Sequence, residues 1–261
     1  QVHRLLTLLA AVGEEYREGV QGGTIVRPLE LEEATTFLHD AQQRFTALLP
    51  GREVDVAPLF AEAAAAIQQK LPADSVSAKL AALRQRVMAV TGVNEQVYPP
   101  AAPSAARGTA LFTEYCVTCH GERGDGKGPS ARGLTPPPAN FTDAGFMRGE
   151  TPYDFYHVIS LGKTHSAMPA WDGVLSVQER WDLVSYLWTL TAGDAGIAEG
   201  QGVYLAQCAS CHGATGNGQG TFANVLVSGA PDLSPPQALA RKPDAELFAA
   251  TTSGVAGTPM P

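Results

Sequence analysis

Residues 115–121 read Tyr-Cys-Val-Thr-Cys-His-Gly, and this spacing dictates how the chain around it is read. Cys116 and Cys119 are two residues apart, and His120 follows at once. Two thiols so placed can add across the vinyl groups of one haem while the adjacent imidazole reaches its iron. Cys-x-x-Cys-His is the c-type haem attachment signature. A bare Cys-x-x-Cys leaves zinc and thioredoxin-like redox sites open, and the histidine narrows that choice. The motif recurs at Cys208-Ala209-Ser210-Cys211-His212, and these two copies hold all four cysteines of the chain, leaving none for a disulfide.

The two motifs belong to one repeated unit. Cys208 follows Cys116 by 92 residues, and Met260 follows Met168 by the same 92. Gly108 and Gly200, Phe112 and Tyr204, Asn140 and Asp232, Phe141 and Leu233, and Gly162 and Gly254 keep that register. The first copy continues past Met168 into an amphipathic segment carrying Trp181, Tyr186 and Leu187, whereas Pro261 is the last residue after Met260. The second copy is therefore expected to be truncated, with its closing helix missing, in a chain that reads as a fragment of a longer protein.

The 261 residues suffice for two domains or three small ones. With 44% hydrophobic and 17% charged residues the composition is that of a globular chain. A net charge of −8 without a basic stripe argues against nucleic acid, because binding phosphates needs clustered lysine and arginine. No apolar run approaches the roughly 18–20 residues of a membrane helix. The richest, Leu5 to Val12, runs into Glu14 and Glu15. No signal peptide is visible, and the chain as given reads as a soluble, mature or trimmed product.

Helical periodicity fills the first 98 residues. Leu5, Leu9, Val12, Tyr16 and Val20 form one stripe, stopped by Gly22-Gly23. Further helices are predicted over Pro28–Leu48, over Val56–Leu71, and from Ser75 or Ser77 through Val90, with prolines at the junctions. Four amphipathic helices with short connections predict an antiparallel up-and-down bundle. Tyr98 to Ser104 reads as a proline-rich linker. Helix resumes at Ala105, a glycine- and proline-rich loop spans Gly121 to Ala139, and helices are predicted over Pro152–Leu161 and Ser176–Leu190, with a boundary at Gly193. The fold class is all-α, divided as a bundle (1–98), a first haem unit (99–194) and a second, truncated one (195–261).

Residues 105–261 resemble class I cytochromes c, in which the helix bearing Cys-x-x-Cys-His crosses a C-terminal helix and a loop methionine supplies the second axial ligand. The resemblance implies two covalently attached haem c groups. Cys116, Cys119, Cys208 and Cys211 would attach them, with His120 and His212 as proximal ligands and Met168 and Met260 as distal ones. Each methionine precedes a proline and lies 48 residues after its histidine. His/Met ligation raises the potential relative to two histidines. The family pattern places the backbone acceptor of the proximal imidazole at Pro129, with Thr221 in the second copy, and the helix crossing at Gly108, Phe112 and Tyr186. Tyr98, Trp171 and Trp181 are candidates for lining the haem or for core packing. His157 and His165 compete as ligands of the first iron. Covalent haem attachment implies a periplasmic or equivalent compartment.

The order of helical module, two cytochrome c units and a truncation resembles the periplasmic front of bacterial cytochrome c–iron permease (Ftr-type) fusion proteins. Val2-His3-Arg4-Leu5-Leu6, Tyr16-Arg17-Glu18-Gly19-Val20, Gly23 and Glu30-Leu31-Glu32-Glu33 carry that resemblance. It implies a membrane permease domain C-terminal to this chain, ferrous iron (Fe2+) as electron donor, and a respiratory cytochrome or oxidase as acceptor. The permease's own Arg-Glu-x-x-Glu signature is absent. Candidate ferrous iron ligands are His3, Glu14, Glu15 and Glu18 on the first helix and Glu30, Glu32, Glu33, His39 and Asp40 on the second, since carboxylate and imidazole suit iron. The alternative is a generic dihaem electron carrier or the cytochrome subunit of a periplasmic dehydrogenase, with the bundle as a docking module. A haem enzyme with an open iron site is disfavoured by the two matched methionines.

Overall fold

Helix-forming sequence dominates, and the computed structural model is helical apart from loops and one two-stranded hairpin. Residues 1–93, 98–163, 166–226 and 229–260 are described, the side chain of His3 excepted. They divide into two compact units, 1–97 and 98–261.

The first unit holds α1 (Val2–Gly19), β1 (Val20–Gln21), β2 (Thr24–Ile25), α2 (Pro28–Leu48), α3 (Ala57–Gln68) and α4 (Ala73–Thr91). Helix α1 packs on α2 and α4, α2 touches α3, and α3 packs on α4, which closes a ring of four helices. The sequence stripe on α1 understates its burial, because every residue from Leu5 to Val12 is buried. A helix apolar on all sides is an inside helix. It ends at Gly19, before the expected Gly22-Gly23 stop. The Gly19 carbonyl accepts from Val26 N and Arg27 N, which turns the chain into the hairpin. A side chain at Gly19 would come within 2.7 Å of the Leu31 backbone, so the glycine permits α1 and α2 to meet. Helix α2 has the predicted bounds, with Pro28 in its first turn. Helix α4 starts at Ala73, earlier than Ser75, where the Pro72 carbonyl accepts from Ser75 N.

The second unit comprises α5 (Ala105–Tyr115), α6 (Val117–His120), α7 (Ala144–Met147), α8 (Pro152–Leu161), α9 (Val177–Val203), α10 (Ala209–His212), α11 (Pro236–Leu239) and α12 (Asp244–Ser253). Helix α9 breaks at Gly193 (φ 63°, ψ 170°), the boundary the sequence marks. The first parts of α9 and α5 cross closely. A side chain on Gly108 would lie 2.1 Å from the Asp182 carbonyl and 2.7 Å from Tyr186 Cβ. Phe112 and Tyr186 pack at 5.2 Å beside it, as the family pattern predicts. Arg107 donates to both oxygens of the buried Asp182 carboxylate at 2.7 and 3.0 Å, and Ser104 N donates at 2.7 Å. Burial pushes that carboxyl's pKa up, but these donors outweigh it and hold it below the usual carboxylate value. Capping boxes at Thr151/Asp154 and Ser176/Glu179 start α8 and the first part of α9.

The 92-residue register of the sequence holds in three helices. Helices α10, α11 and α12 have the bounds of α6, α7 and α8 moved by 92 residues. The crossing is not repeated among the described residues. Gly200 has nothing within 4 Å of where its side chain would be, and Phe248 is 70% exposed where its counterpart Tyr156 is buried against Trp181.

These contrasting glycines make a direct test. Gly108→Ala should destabilise the haem-loaded protein by about 2 kcal/mol or more, since backbone must move to admit the methyl. Within residues 1–261, where nothing crosses it, Gly200→Ala should be neutral or stabilise by up to about 1 kcal/mol through helix propensity. Denaturant unfolding of the two variants checks the contrast.

Candidate metal centres

Helix α5 ends at Tyr115, and Cys116 turns the chain into the short α6, whose Cys119 and His120 amides both reach back to the Cys116 carbonyl. One helical turn thus presents Cys116, Cys119 and His120 to a single cavity. The following loop folds back over this turn, as Gly126 N, Gly128 N and Ser130 N donate to the carbonyls of His120, Cys119 and Thr118 at 2.9, 3.1 and 2.9 Å. Those are the carbonyls a helix end leaves without partners. Gly128 lies so close that a side chain there would meet the Thr118 carbonyl at 2.4 Å.

The His120 ring is oriented from two sides. Its Nδ1 lies 3.3 Å from the Ala139 carbonyl, to which an Nδ1–H donates, and Phe141 stacks on it at 4.8 Å. That leaves Nε2 for a metal. The acceptor is Ala139 rather than the Pro129 inferred from the family pattern. The chain next to Pro129 is engaged elsewhere, by Ser130 N on Thr118, and the loop passes the imidazole only on its return. Burial lowers the His120 pKa, opposed by the Ala139 carbonyl, and so favours the neutral ring. Burial, helped by the neighbouring Cys119, pushes the Cys116 thiol up to about 12.

The cavity measures about 670 Å³, within the range of cofactor sites. Met168 and Trp171 line it together with the cysteines and His120. The Met168 amide donates to Ser166 Oγ at 3.1 Å, and its carbonyl accepts from Lys163 N. Gly162 (φ 75°) allows this approach, because a side chain there would meet the Met168 carbonyl at 2.7 Å. His157 is 6% exposed and packs against Tyr153 at 4.2 Å; it does not line the cavity. His165 lies outside the described residues. Of the three aromatic candidates, Trp171 lines the cavity, whereas Trp181 stacks between Tyr98 and Tyr156 in the core.

The second motif repeats the loop contacts and the imidazole acceptor of the first. Gly218 N and Gly220 N donate to the His212 and Cys211 carbonyls at 2.8 and 3.1 Å. His212 Nδ1 lies 3.3 Å from the Pro231 carbonyl, the counterpart of Ala139, so Thr221 is not the acceptor. The Met260 amide donates to Thr258 Oγ1 at 3.3 Å, as Met168 does to Ser166.

On the bundle, Glu15, Glu30 and Glu33 each bring one oxygen within 4.8 Å of the others, and Glu33 is buried. The remaining candidates do not join them. Glu14 pairs with Arg17 at 2.7 Å, Glu18 with Arg27 at 2.6 Å, and His39 with Gln43 at 2.8 Å. Glu32 and Asp40 are outside the cluster, and the side chain of His3 is outside the described residues. Helical spacing put all of them on two neighbouring helices; only the packing of α1 on α2 selects three.

Residues 103–187 and 195–261 match the family model described as cytochrome c oxidase, cbb3-type, subunit III. The chain belongs to this cytochrome c family. Residues 1–102 match the iron permease-associated 4-helix bundle domain. The pairing bears out the resemblance to cytochrome c–iron permease fusions. The cbb3-type cytochrome c oxidase subunit CcoP of Azospirillum sp. (strain B510) is 32% identical over 167 residues, covering 58% of this chain and 53% of that protein. Subunit FixP of Sinorhizobium medicae (strain WSM419) is 26% identical over 142 residues, covering 50% and 44%. The chain thus spans about half the length of the curated relatives it matches. A chain of the reducing HAO-like protein complex of Kuenenia stuttgartiensis is 26% identical, covers 63% of this chain and 89% of its own, and superposes with a TM-score of 0.30. No helix among the described residues is long and apolar enough to cross a membrane.

Cytochrome c domains carry covalently bound haem c, and the first cavity fits it. Two thiols, an imidazole with Nδ1 engaged and a thioether share one cavity. Trp171 Nε1 is buried with no acceptor among the described residues, a donor that a haem carboxylate would satisfy. Trp171→Phe should therefore cost the haem-loaded protein about 2 kcal/mol while leaving the haem-free chain unchanged or slightly more stable. Denaturant unfolding of both forms checks this, and an equal loss in both would contradict it.

Proposed function

We propose that the chain is the electron-transfer part of a periplasmic iron-handling system, taking electrons from ferrous iron and passing them to a respiratory acceptor. The observation that carries this reading is one chain uniting an iron permease-associated bundle with cytochrome c family repeats. The parts are the bundle (1–98), a first haem unit (99–194) and a second (195–261). Two haem c groups would be held, by Cys116, Cys119, His120 and Met168 and by Cys208, Cys211, His212 and Met260. Haem c supplies a one-electron couple, set high by methionine ligation.

The chain's own residues do the rest. The carbonyls of Ala139 and Pro231 hold each imidazole so that Nε2 is presented, and Ser166 and Thr258 fix the backbone at each methionine. Glu15, Glu30 and Glu33 offer hard oxygen ligands to the iron substrate. Each ferrous ion gives up one electron to the cytochrome part and leaves as ferric ion, for a permease domain in the full-length protein. A helix of the first part of α9's type would cover the open face at Gly200 and Phe248. The relatives' name favours a second reading, an electron-carrying subunit of an oxidase with the bundle as its docking module.

Anaerobic mixing of ferrous iron with the oxidised haem-loaded protein separates the two. The double variant Glu15→Gln/Glu33→Gln should slow haem reduction by ferrous iron about tenfold while leaving reduction by ascorbate unchanged. Equal ferrous rates in both proteins would rule out iron delivery by these carboxylates and leave the oxidase reading.

A further inference from the structure

Helices α8 and α12 occupy equivalent places in the two repeats. Amides in the first turn of a helix have no acceptor within it. In α8 the Tyr153 amide donates to the Ala240 carbonyl of the second repeat at 2.8 Å. In α12 the Ala245 amide donates to the Arg148 carbonyl of the first repeat at 3.4 Å. Residue 245 is the counterpart of 153, and 240 is the counterpart of 148, under the 92-residue shift. One donor–acceptor pair is thus made twice, in opposite directions. A two-fold-related contact has this property, position i meeting j while j meets i. Repeats stacked head to tail would make one bond without its reciprocal.

Side chains break the symmetry and latch the seam from one side. The Asp244 carboxylate, where the first repeat has Pro152, accepts from Trp188 Nε1 at 3.0 Å. The Arg241 guanidinium, where the first repeat has Gly149, lies 3.5 Å from the centre of the Tyr153 ring. Ala240 is 2% exposed, so the seam is dry at that point. Trp188 also packs at 5.0 Å on Phe155, which lines the first cavity and meets Phe141, the ring stacked on His120. The latch therefore ties the second repeat to the wall of the first pocket.

We propose that the two haem-attachment repeats form an isologous pair, that the Trp188–Asp244 bond is its positioning latch, and that this seam fixes the separation across which one electron passes between the two sites. The proposal goes beyond the functional reading above, because it holds whether ferrous iron or another reductant is the donor.

Hydrogen exchange on the haem-loaded protein tests the seam, and flash reduction of a fraction of the protein, followed by the rate of internal electron redistribution, tests its role. The Tyr153 and Ala245 amides should both be protected despite lying in first turns. Asp244→Ala should raise exchange at both by about tenfold or more, with the α5–α9 crossing unaffected, and should slow redistribution several-fold or make it multiphasic. Asp244→Asn keeps an acceptor oxygen and should restore both readouts. Trp188→Phe, which removes only the indole donor while keeping an aromatic ring on Phe155, should reproduce the effect of Asp244→Ala. Wild-type exchange at Tyr153 and Ala245 as fast as at unbonded loop amides would overturn the pair. Exchange that responds at only one of them would do the same. Redistribution unchanged in both Asp244→Ala and Trp188→Phe would overturn the latch.

Discussion

The approach of α5 to α9 at Gly108 is the constraint on which the first haem unit depends. Backbone meets backbone there because glycine has no side chain to hold the helices apart, and the buried Asp182, gripped by Arg107 and Ser104, locks the crossing. From this fixed point α5 delivers Cys116 at its end, while α9 lays Leu187 on the cavity and Tyr186 on Phe112. In the second repeat no such crossing is made among the described residues. Its loop keeps the hydrogen bonds to the motif turn and Met260 N keeps its hydroxyl acceptor, while Gly200 faces open space and Phe248 is exposed. Local backbone chemistry shapes the Cys-x-x-Cys-His turn in the same way in both repeats.

Local features were the legible ones. The 92-residue shift predicted equivalent elements, and α10, α11 and α12 follow α6, α7 and α8 residue for residue. Helices α2 and α8 have their predicted bounds because proline opens each of them and glycine or a proline–glycine pair follows. What escaped was set by contacts distant in sequence. Nothing in the spacing says that the loop returns to His120 at Ala139 and not at Pro129. The stripe on α1 could not show that its other faces are buried too, nor could helical periodicity pick Glu15, Glu30 and Glu33 from nine candidates. Paired amides and carbonyls at the seam leave no mark on side-chain identity, so the reciprocal contact between repeats was invisible.

The bundle and the cytochrome part place different demands on one chain. The cytochrome part builds a largely apolar cavity lined by a half-buried imidazole and a thioether. The bundle gathers carboxylates, one of them buried, which suit a hard cation. Two distinct chemistries are thus held in two units of one chain.

The proposed electron path needs two haem attachment sites, and the mass of the matured protein tests this most directly. The intact chain should weigh its 27.4 kDa polypeptide plus two haem groups. Proteolysis should yield one haem-bearing peptide with Cys116 and Cys119 and another with Cys208 and Cys211. A single haem, or free thiols at either pair, would contradict it.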